Sequence, residues 1–168
     1  LALMGALSGG AERVYLHEEG ISLEALVEDV SALRESFASG RKLFLAVRNE
    51  EANPLYTTDF IARLLEQESH GLYDVRQNVL GHAQQGATPS PFDRLLAVRL
   101  VSRALDELSA GFETGTPQSS YLGLVEAKVT ARPLERMMDE MDAQYRRPKD
   151  QWWLALRPVM KAVADAAV

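Results

Sequence analysis

The order of segments in this chain predicts an α/β fold built on a mostly parallel sheet. Three observations carry that expectation. Short β-prone runs alternate with amphipathic stretches of helical period. One of the runs, Leu43-Phe44-Leu45-Ala46-Val47, is apolar at every position, the pattern of a strand buried on both faces. The composition is ordinary for a globular chain, with 46% hydrophobic and 25% charged residues in 168 positions. No internal repeat and no low-complexity linker interrupts it, so residues 1–168 are expected to form one piece without an internal domain boundary.

Each element has its own local signal. Val14-Tyr15-Leu16 is a short β-prone run between Gly9-Gly10 and His17-Glu18-Glu19-Gly20. Ser22 is a candidate N-cap, and Ile21 with Leu26 has the spacing of a hydrophobic staple. Leu23, Leu26, Val27, Val30, Leu33 and Phe37 then recur at helical spacing, predicting a helix over 23–38 that ends at Gly40. After the strand at 43–47, Thr57 or Thr58 caps a helix bearing Phe60, Ile61, Leu64 and Leu65, which stops at Gly71. Residues 73–80 read as a further strand and 81–90 as a loop. Ser90, Pro91 and Asp93 start a helix to about Ala110. Residues 111–120 read as a loop and 121–130 as one strand, bent near Lys128. A helix is expected from Pro133 to about Gln144, and a last one over 152–166, interrupted at Pro158. The opening Leu1-Ala2-Leu3-Met4-Gly5-Ala6-Leu7 has neither an initiator Met nor a capping residue. It reads as a segment of a longer chain, or alternatively as a tag-cleaved terminus.

Charge and composition exclude several classes of function. Eighteen basic and 24 acidic residues give a net charge of −6. Residues 1–40 hold seven acids and two bases, which leaves the rest nearly balanced. Nucleic acid is therefore not an expected partner, because neutralising a phosphate backbone needs a basic surplus. No apolar run approaches the ~20 residues of a membrane span, so no membrane partner is expected. The absence of cysteine rules out thiolate catalysis and agrees with a reducing, cytoplasmic setting. Three scattered histidines offer no zinc site, and no metal site is expected.

The chemistry-bearing residues lie where predicted strands end, the place where open α/β sheets bind ligands. One strand runs into Arg48-Asn49-Glu50. Another runs into residues 81–91, a loop that combines His82, the amides of Gln84 and Gln85, small residues and the start of a helix. A helix N-terminus favours anions. Arg76 lies on the strand before this loop, on the face it shares with Asn78 and Leu80. This pattern fits a polar site, and equally a capped helix with a satisfied surface loop. Arg146-Arg147-Pro148-Lys149, before Trp152-Trp153, is either a phosphate holder or a solvated turn. No Walker loop and no dinucleotide fingerprint is present.

Five stretches go beyond what composition accounts for. They are Arg48-Asn49-Glu50, Tyr56-Thr57-Thr58-Asp59-Phe60, Leu80-Gly81-His82-Ala83-Gln84-Gln85-Gly86, Pro89-Ser90-Pro91-Phe92-Asp93-Arg94 and Gln151-Trp152-Trp153-Leu154-Ala155-Leu156-Arg157-Pro158. In this order they resemble the eukaryotic ATP-dependent 6-phosphofructokinases, over residues 2–164, and the likeness to fungal forms is strongest over 14–21 and 146–158. The resemblance implies a three-layer phosphofructokinase-like fold, present here as an incomplete C-terminal portion. It also implies a glycolytic kinase as the parent protein, an oligomer of like or unlike subunits that phosphorylates fructose 6-phosphate. Those enzymes resemble a duplicated chain with a catalytic N-terminal half and a regulatory C-terminal half. Gln85 stands where the catalytic half has an arginine, so the likeness is to the last part of the regulatory half, whose ligand is the allosteric effector fructose 2,6-bisphosphate.

Carried over by position, the resemblance implies an effector site with no catalytic residue. Glu50 would accept hydrogen bonds from sugar hydroxyls. Arg76 would bind a phosphate across a subunit interface. His82, Gln84 and Gln85 would line the sugar and phosphate pocket, and Arg146 would hold a phosphate. Residue chemistry agrees, since a guanidinium fork suits phosphate oxygens and neutral amides suit hydroxyls. ATP and Mg²⁺ would bind the parent enzyme outside this segment, which alone would be inactive. Where the family has a second glycine this chain has Ala87, a strained position if its φ is positive. The alternative expectation is a non-catalytic structural or subunit-interface piece that binds no ligand by itself.

Overall fold

A computed structural model describes residues 1–116 and 118–166. The chain divides into two compact units, residues 1–79 with 151–168 and residues 80–150.

The first unit is built around a short parallel pair. Strand β1 (Arg13–Tyr15) pairs with β2 (Ala46–Arg48) in the register Arg13 with Ala46, Val14 with Val47 and Tyr15 with Arg48. Side chains alternate across a strand, and here both faces are covered. Val14 and Leu16 pack with Leu3 and Ala6 of helix α1 (Ala2–Ser8), with Ala11 and with Met160 of helix α6 (Arg157–Ala166). Tyr15 points the other way, onto Leu26, Val30 and Leu33 of α2 (Leu23–Ala38) and Ile61 and Leu65 of α3 (Thr58–Glu68). Helices thus lie on both sides of the pair, a local three-layer arrangement. Buried Asp29 of α2 accepts a hydrogen bond from the Tyr15 hydroxyl at 2.7 Å and pairs with Arg13, fastening α2 to β1.

The helix starts are as the sequence predicts. Ser22 accepts from Ala25 N at 3.1 Å, and Thr57, the first of the two candidate threonines, accepts from Phe60 N at 3.2 Å. The second strand is shifted and shorter than the apolar run predicts. β1 offers only three residues between its flanking turns, so no ladder exists for residues 43–45. Leu45 O still accepts from Glu12 N at 3.0 Å and Arg13 N at 3.4 Å, and side chains hold the rest, Leu45 N by Glu12 at 2.7 Å and Leu43 O by Arg41 at 2.9 Å. Residues 73–80 alternate as a strand would, with Tyr73 and Val75 packed on the core, but they pair with no strand among the described residues. Pro158 does not interrupt α6. A short 3₁₀ turn (Trp152–Leu156) precedes the helix, and Pro158 falls in the helix's first turn, where a missing N–H leaves no bond unmade.

The second unit consists of helix α4 (Pro91–Thr114), a hairpin of β3 (Ser120–Val125) and β4 (Lys128–Pro133), helix α5 (Glu135–Glu140) and a two-residue ladder of β5 (Met141–Asp142) and β6 (Arg147–Pro148). The Ser90 capping box forms as its sequence implies: Asp93 N donates to the Ser90 hydroxyl at 3.2 Å, and Ser90 N to the Asp93 carboxylate at 2.8 Å. α4 outruns the predicted end near Ala110 and stops at Gly115, whose φ of 64° supplies the left-handed cap.

The single strand predicted over 121–130 is in fact a hairpin. Glu126 and Ala127 take φ of 50° and 63°, the backbone of a type I′ turn, with neither the Asn nor the Gly that signals one. Pro133 therefore ends a strand rather than opening a helix, and Leu134 N extends the pairing to Ser119 O at 3.0 Å. Glu140 joins α5 to the hairpin by accepting from the Tyr121 hydroxyl and, at 2.6 Å, from Arg132.

Candidate functional site

In the first unit, the turn after β2 is shaped almost wholly by its own side chains. Asn49 N donates to Tyr15 O at 2.9 Å, continuing the parallel ladder one step. Arg48 donates to Asn53 O at 2.6 Å and to Tyr56 O at 3.0 Å, and Asn53 reaches Ile21 O at 3.0 Å while accepting from Leu55 N and Tyr56 N. His17 closes the other side by hydrogen bonding Glu51 O at 2.5 Å. Glu50 is left exposed at the rim of a cleft of about 540 Å³, lined also by Arg48, Asn53, Thr57, Thr58, Asp59 and Gln77.

The chemistry of this cleft suits hydroxyl groups. Its cation, Arg48, is already committed to two carbonyl oxygens, and burial pushes its pKa down against the pull of Glu50 and Glu51. Asp59 is engaged by Arg63 at 3.0 Å and by Gln77 at 3.4 Å. What remains is the Glu50 carboxylate, the Thr58 hydroxyl and the oxygen of the Gln77 amide, groups that orient a polyol.

Arg76 does not line the cleft. The extended segment gives Gln77 and Val79 to it, and the alternation of side chains turns Arg76 to the opposite face, exposed. Glu50 and Arg76 therefore share a unit but not a pocket.

In the second unit, His82, Gln84 and Gln85 sit together in one 3₁₀ turn (Gly81–Gln85), all exposed and hydrogen bonded to no other side chain among the described residues. Gly81 takes φ of +52°, while Gly86 lies at −98° and Ala87 is not in the left-handed region, so the alanine introduces no backbone strain. The start of α4 is less available to an anion than the sequence suggests. The Asp93 carboxylate sits on it, and the hydroxyl and backbone N–H of Ser90 hold its pKa below the usual range. Arg146 occupies the turn between β5 and β6 in a left-handed conformation, φ 53°, with its side chain exposed. Its neighbour Lys149 is tied to Asp139 O at 2.7 Å.

The sequence marks Arg48 only as part of the Arg48-Asn49-Glu50 turn, gives Asn53 and Gln77 no role, and offers Thr57-Thr58-Asp59 only as a helix start. The signal was there, because two of the five distinctive stretches border the cleft. No group of three His, Asp or Glu stands together among the described residues. No helix among them is long and apolar enough to cross a membrane.

Comparison with known proteins agrees with the motifs. The family model described as phosphofructokinase matches residues 1–108. The chain is 37% identical over 174 residues to the human muscle-type ATP-dependent 6-phosphofructokinase and 38% over 173 residues to the human platelet type. Each match covers 98% of this chain and 22% of the relative, so the chain spans about a fifth of their length. Among solved structures, phosphofructokinase from Saccharomyces cerevisiae superposes with a TM-score of 0.88 at 25% identity, over 99% of this chain and 23% of that one. The Pichia pastoris enzyme in the T-state gives 0.85 at 28%, over 98% and 21%.

Proposed function

The chain belongs to the phosphofructokinase family, and from that premise we propose that it is part of an ATP-dependent 6-phosphofructokinase and contributes part of an allosteric site for fructose 2,6-bisphosphate. The parent enzyme transfers a phosphoryl group from ATP to fructose 6-phosphate in glycolysis, in the cytoplasm, with Mg²⁺ and ATP held outside this segment and with other subunits as partners. The segment alone is inactive. Residues 1–168 act as one C-terminal portion of the regulatory half.

The observation that carries this reading is the division of labour between Glu50 and the exposed cations. A cleft bearing a carboxylate, an amide and a hydroxyl suits the sugar, and a phosphate needs uncommitted positive charge, which Arg76 and Arg146 carry. His82, Gln84 and Gln85 supply further donors. That Arg76 turns away from its own chain's cleft supports its use by a neighbouring subunit.

The test is a chimera in which this chain replaces the matching segment of the human muscle-type enzyme. A charge-assisted hydrogen bond to phosphate contributes about 1.5–3 kcal/mol, so Arg76→Ala and Arg146→Ala are expected to weaken activation by fructose 2,6-bisphosphate roughly 10- to 100-fold. The maximal rate at saturating substrate stays unchanged. His82→Ala does less, since a neutral imidazole carries no full charge. An unchanged activation constant in a folded Arg76→Ala chimera overturns the assignment. The second reading, a structural piece that binds nothing alone, is favoured by the apolar surface of α4. A rise in the melting temperature of the isolated chain on adding fructose 2,6-bisphosphate argues against it.

A further inference from the structure

The turn after β2 carries Glu50 without gripping its side chain. Among the described residues no hydrogen bond or ion pair reaches the Glu50 carboxylate, so its place is set by the backbone beneath it. That backbone is spanned from inside by half-buried Arg48. Nη2 donates to Asn53 O at 2.6 Å and Nε to Tyr56 O at 3.0 Å, so one planar group ties the end of β2 to carbonyls five and eight residues on. Asn53 fastens the same turn outward. Its amide donates to Ile21 O at 3.0 Å and accepts from Leu55 N and Tyr56 N at 2.8 and 3.0 Å. Beneath them Ala52 is 5% exposed in the core, and its N–H donates to Asn49 O at 3.1 Å. Every atom of this brace lies within residues 21–56, so it needs nothing that packs on the chain from outside.

The partners of Arg48 matter as much as their number. Glu50 and Glu51 stand near enough to pull on its charge, yet its N–H groups go to neutral carbonyls. An arginine paired with Glu50 would occupy the carboxylate oxygens and cancel their charge. We propose that Arg48, seconded by Asn53, is the positioning residue of this cleft: it sets where the Glu50 carboxylate stands and leaves that carboxylate free for a sugar hydroxyl. The proposal rests on the reading of the cleft as a sugar site. Lysine is no substitute, because a single ammonium presents no planar fork to two carbonyls.

The test is a double-mutant cycle in the muscle-type chimera, read as the activation constant for fructose 2,6-bisphosphate. Glu50→Gln alone is expected to raise that constant roughly 10- to 100-fold, through loss of a charged acceptor. Arg48→Lys is expected to raise it roughly 10-fold, the scale on which a support behind a ligand-binding group acts. In the Glu50→Gln background the same change is expected to do less than about 2-fold, because the group it positions is already gone. Equal losses in both backgrounds mean that Arg48 acts on the ligand or on the fold at large, and overturn the proposal. So does an unchanged constant in a folded Arg48→Lys chimera when Glu50→Gln raises it. If Glu50→Gln alone changes nothing, the sugar reading fails, and hydrogen exchange in the same chimera judges the brace. Arg48→Lys is expected to speed exchange at the Leu55 and Tyr56 amides at least ~10-fold, and unchanged protection there overturns the brace as well. If Arg48→Lys does not fold, Asn53→Ala takes its place in the cycle, with the same pattern expected and equal losses again overturning it.

Discussion

Residues 1–79 with 151–166 and residues 80–150 solve the problem of folding in different ways. Every buried residue among those described lies in the first unit, and the hydrophobic ones form two clusters on opposite faces of one three-residue strand pair. The second unit has none. It keeps its shape by local devices: a capping box, a left-handed glycine cap, a tight hairpin and a carboxylate shared by Tyr121 and Arg132. Burial is the dominant favourable contribution to folding. The first unit is therefore expected to melt cooperatively, while the second is expected to exchange its amide hydrogens faster and to depend on whatever covers α4.

The sharpest way to break this contrast is in the first core. Leu26 is 1% exposed, and Leu26→Ala is expected to cost about 2–5 kcal/mol in denaturant unfolding. Met138→Ala, at an exposed position of the second unit, should stay within about 0.5 kcal/mol. Comparable losses from the two changes would erase the distinction.

Proton linkage separates the units next. Burial raises the Asp29 pKa above its usual value, against the hydrogen bond from Tyr15 and the charge of Arg13, and burial together with Asp29 raises that of Tyr15. Each group holds its proton more tightly folded than unfolded. Each contribution is therefore complete below the ordinary pKa, near 3.8 for Asp29 and 10.0 for Tyr15, and is lost as pH rises through the folded value. Stability of the first unit measured against pH should fall on the alkaline side of both. Asp29→Asn should flatten the acidic limb, and Tyr15→Phe the alkaline one.

Smaller effects are expected in the second unit. Ser90→Ala removes half of the capping box and is expected to cost about 1 kcal/mol, read as faster hydrogen exchange over the first turns of α4. Ala127→Gly relieves a left-handed alanine in the hairpin and should stabilise by up to about 1 kcal/mol, slowing exchange across β3 and β4. A loss on Ala127→Gly would mean that the methyl group packs in a way the turn geometry does not imply.

What the sequence revealed follows the same division. Periodicity found α2 and α3 and their caps, because their apolar faces are buried and the pattern is a burial pattern. It also found the start of α4, where Ser90, Pro91 and Asp93 act through neighbouring backbone alone. It failed at the hairpin, because Glu126-Ala127 carries none of the usual turn residues and the folding back rests on pairing that spacing does not encode. It overestimated β2, because the length of a parallel ladder is set by the partner strand, here three residues long. For the site, the motifs marked both rims of the cleft, and Glu50 lines it. The opposite orientation of Arg76 emerged only from the path of residues 73–80, whose alternation is set against Gln77 and Val79.

The first unit is assembled from both ends of the chain. Arg157 clasps Glu19 at 2.5 Å and Val14 O at 3.2 Å, and Met160 fills the cluster that Leu3, Ala6 and Val14 begin. On a ribosome adding about 5–20 residues per second, those first residues wait on the order of ten seconds or more for the side chain that completes their packing. The residues of the second unit emerge in between, and their helix and hairpin need only near neighbours in sequence. The part with the weaker core is thus the part that takes shape without delay, while the better-packed part stays open on one side until the last helix is made.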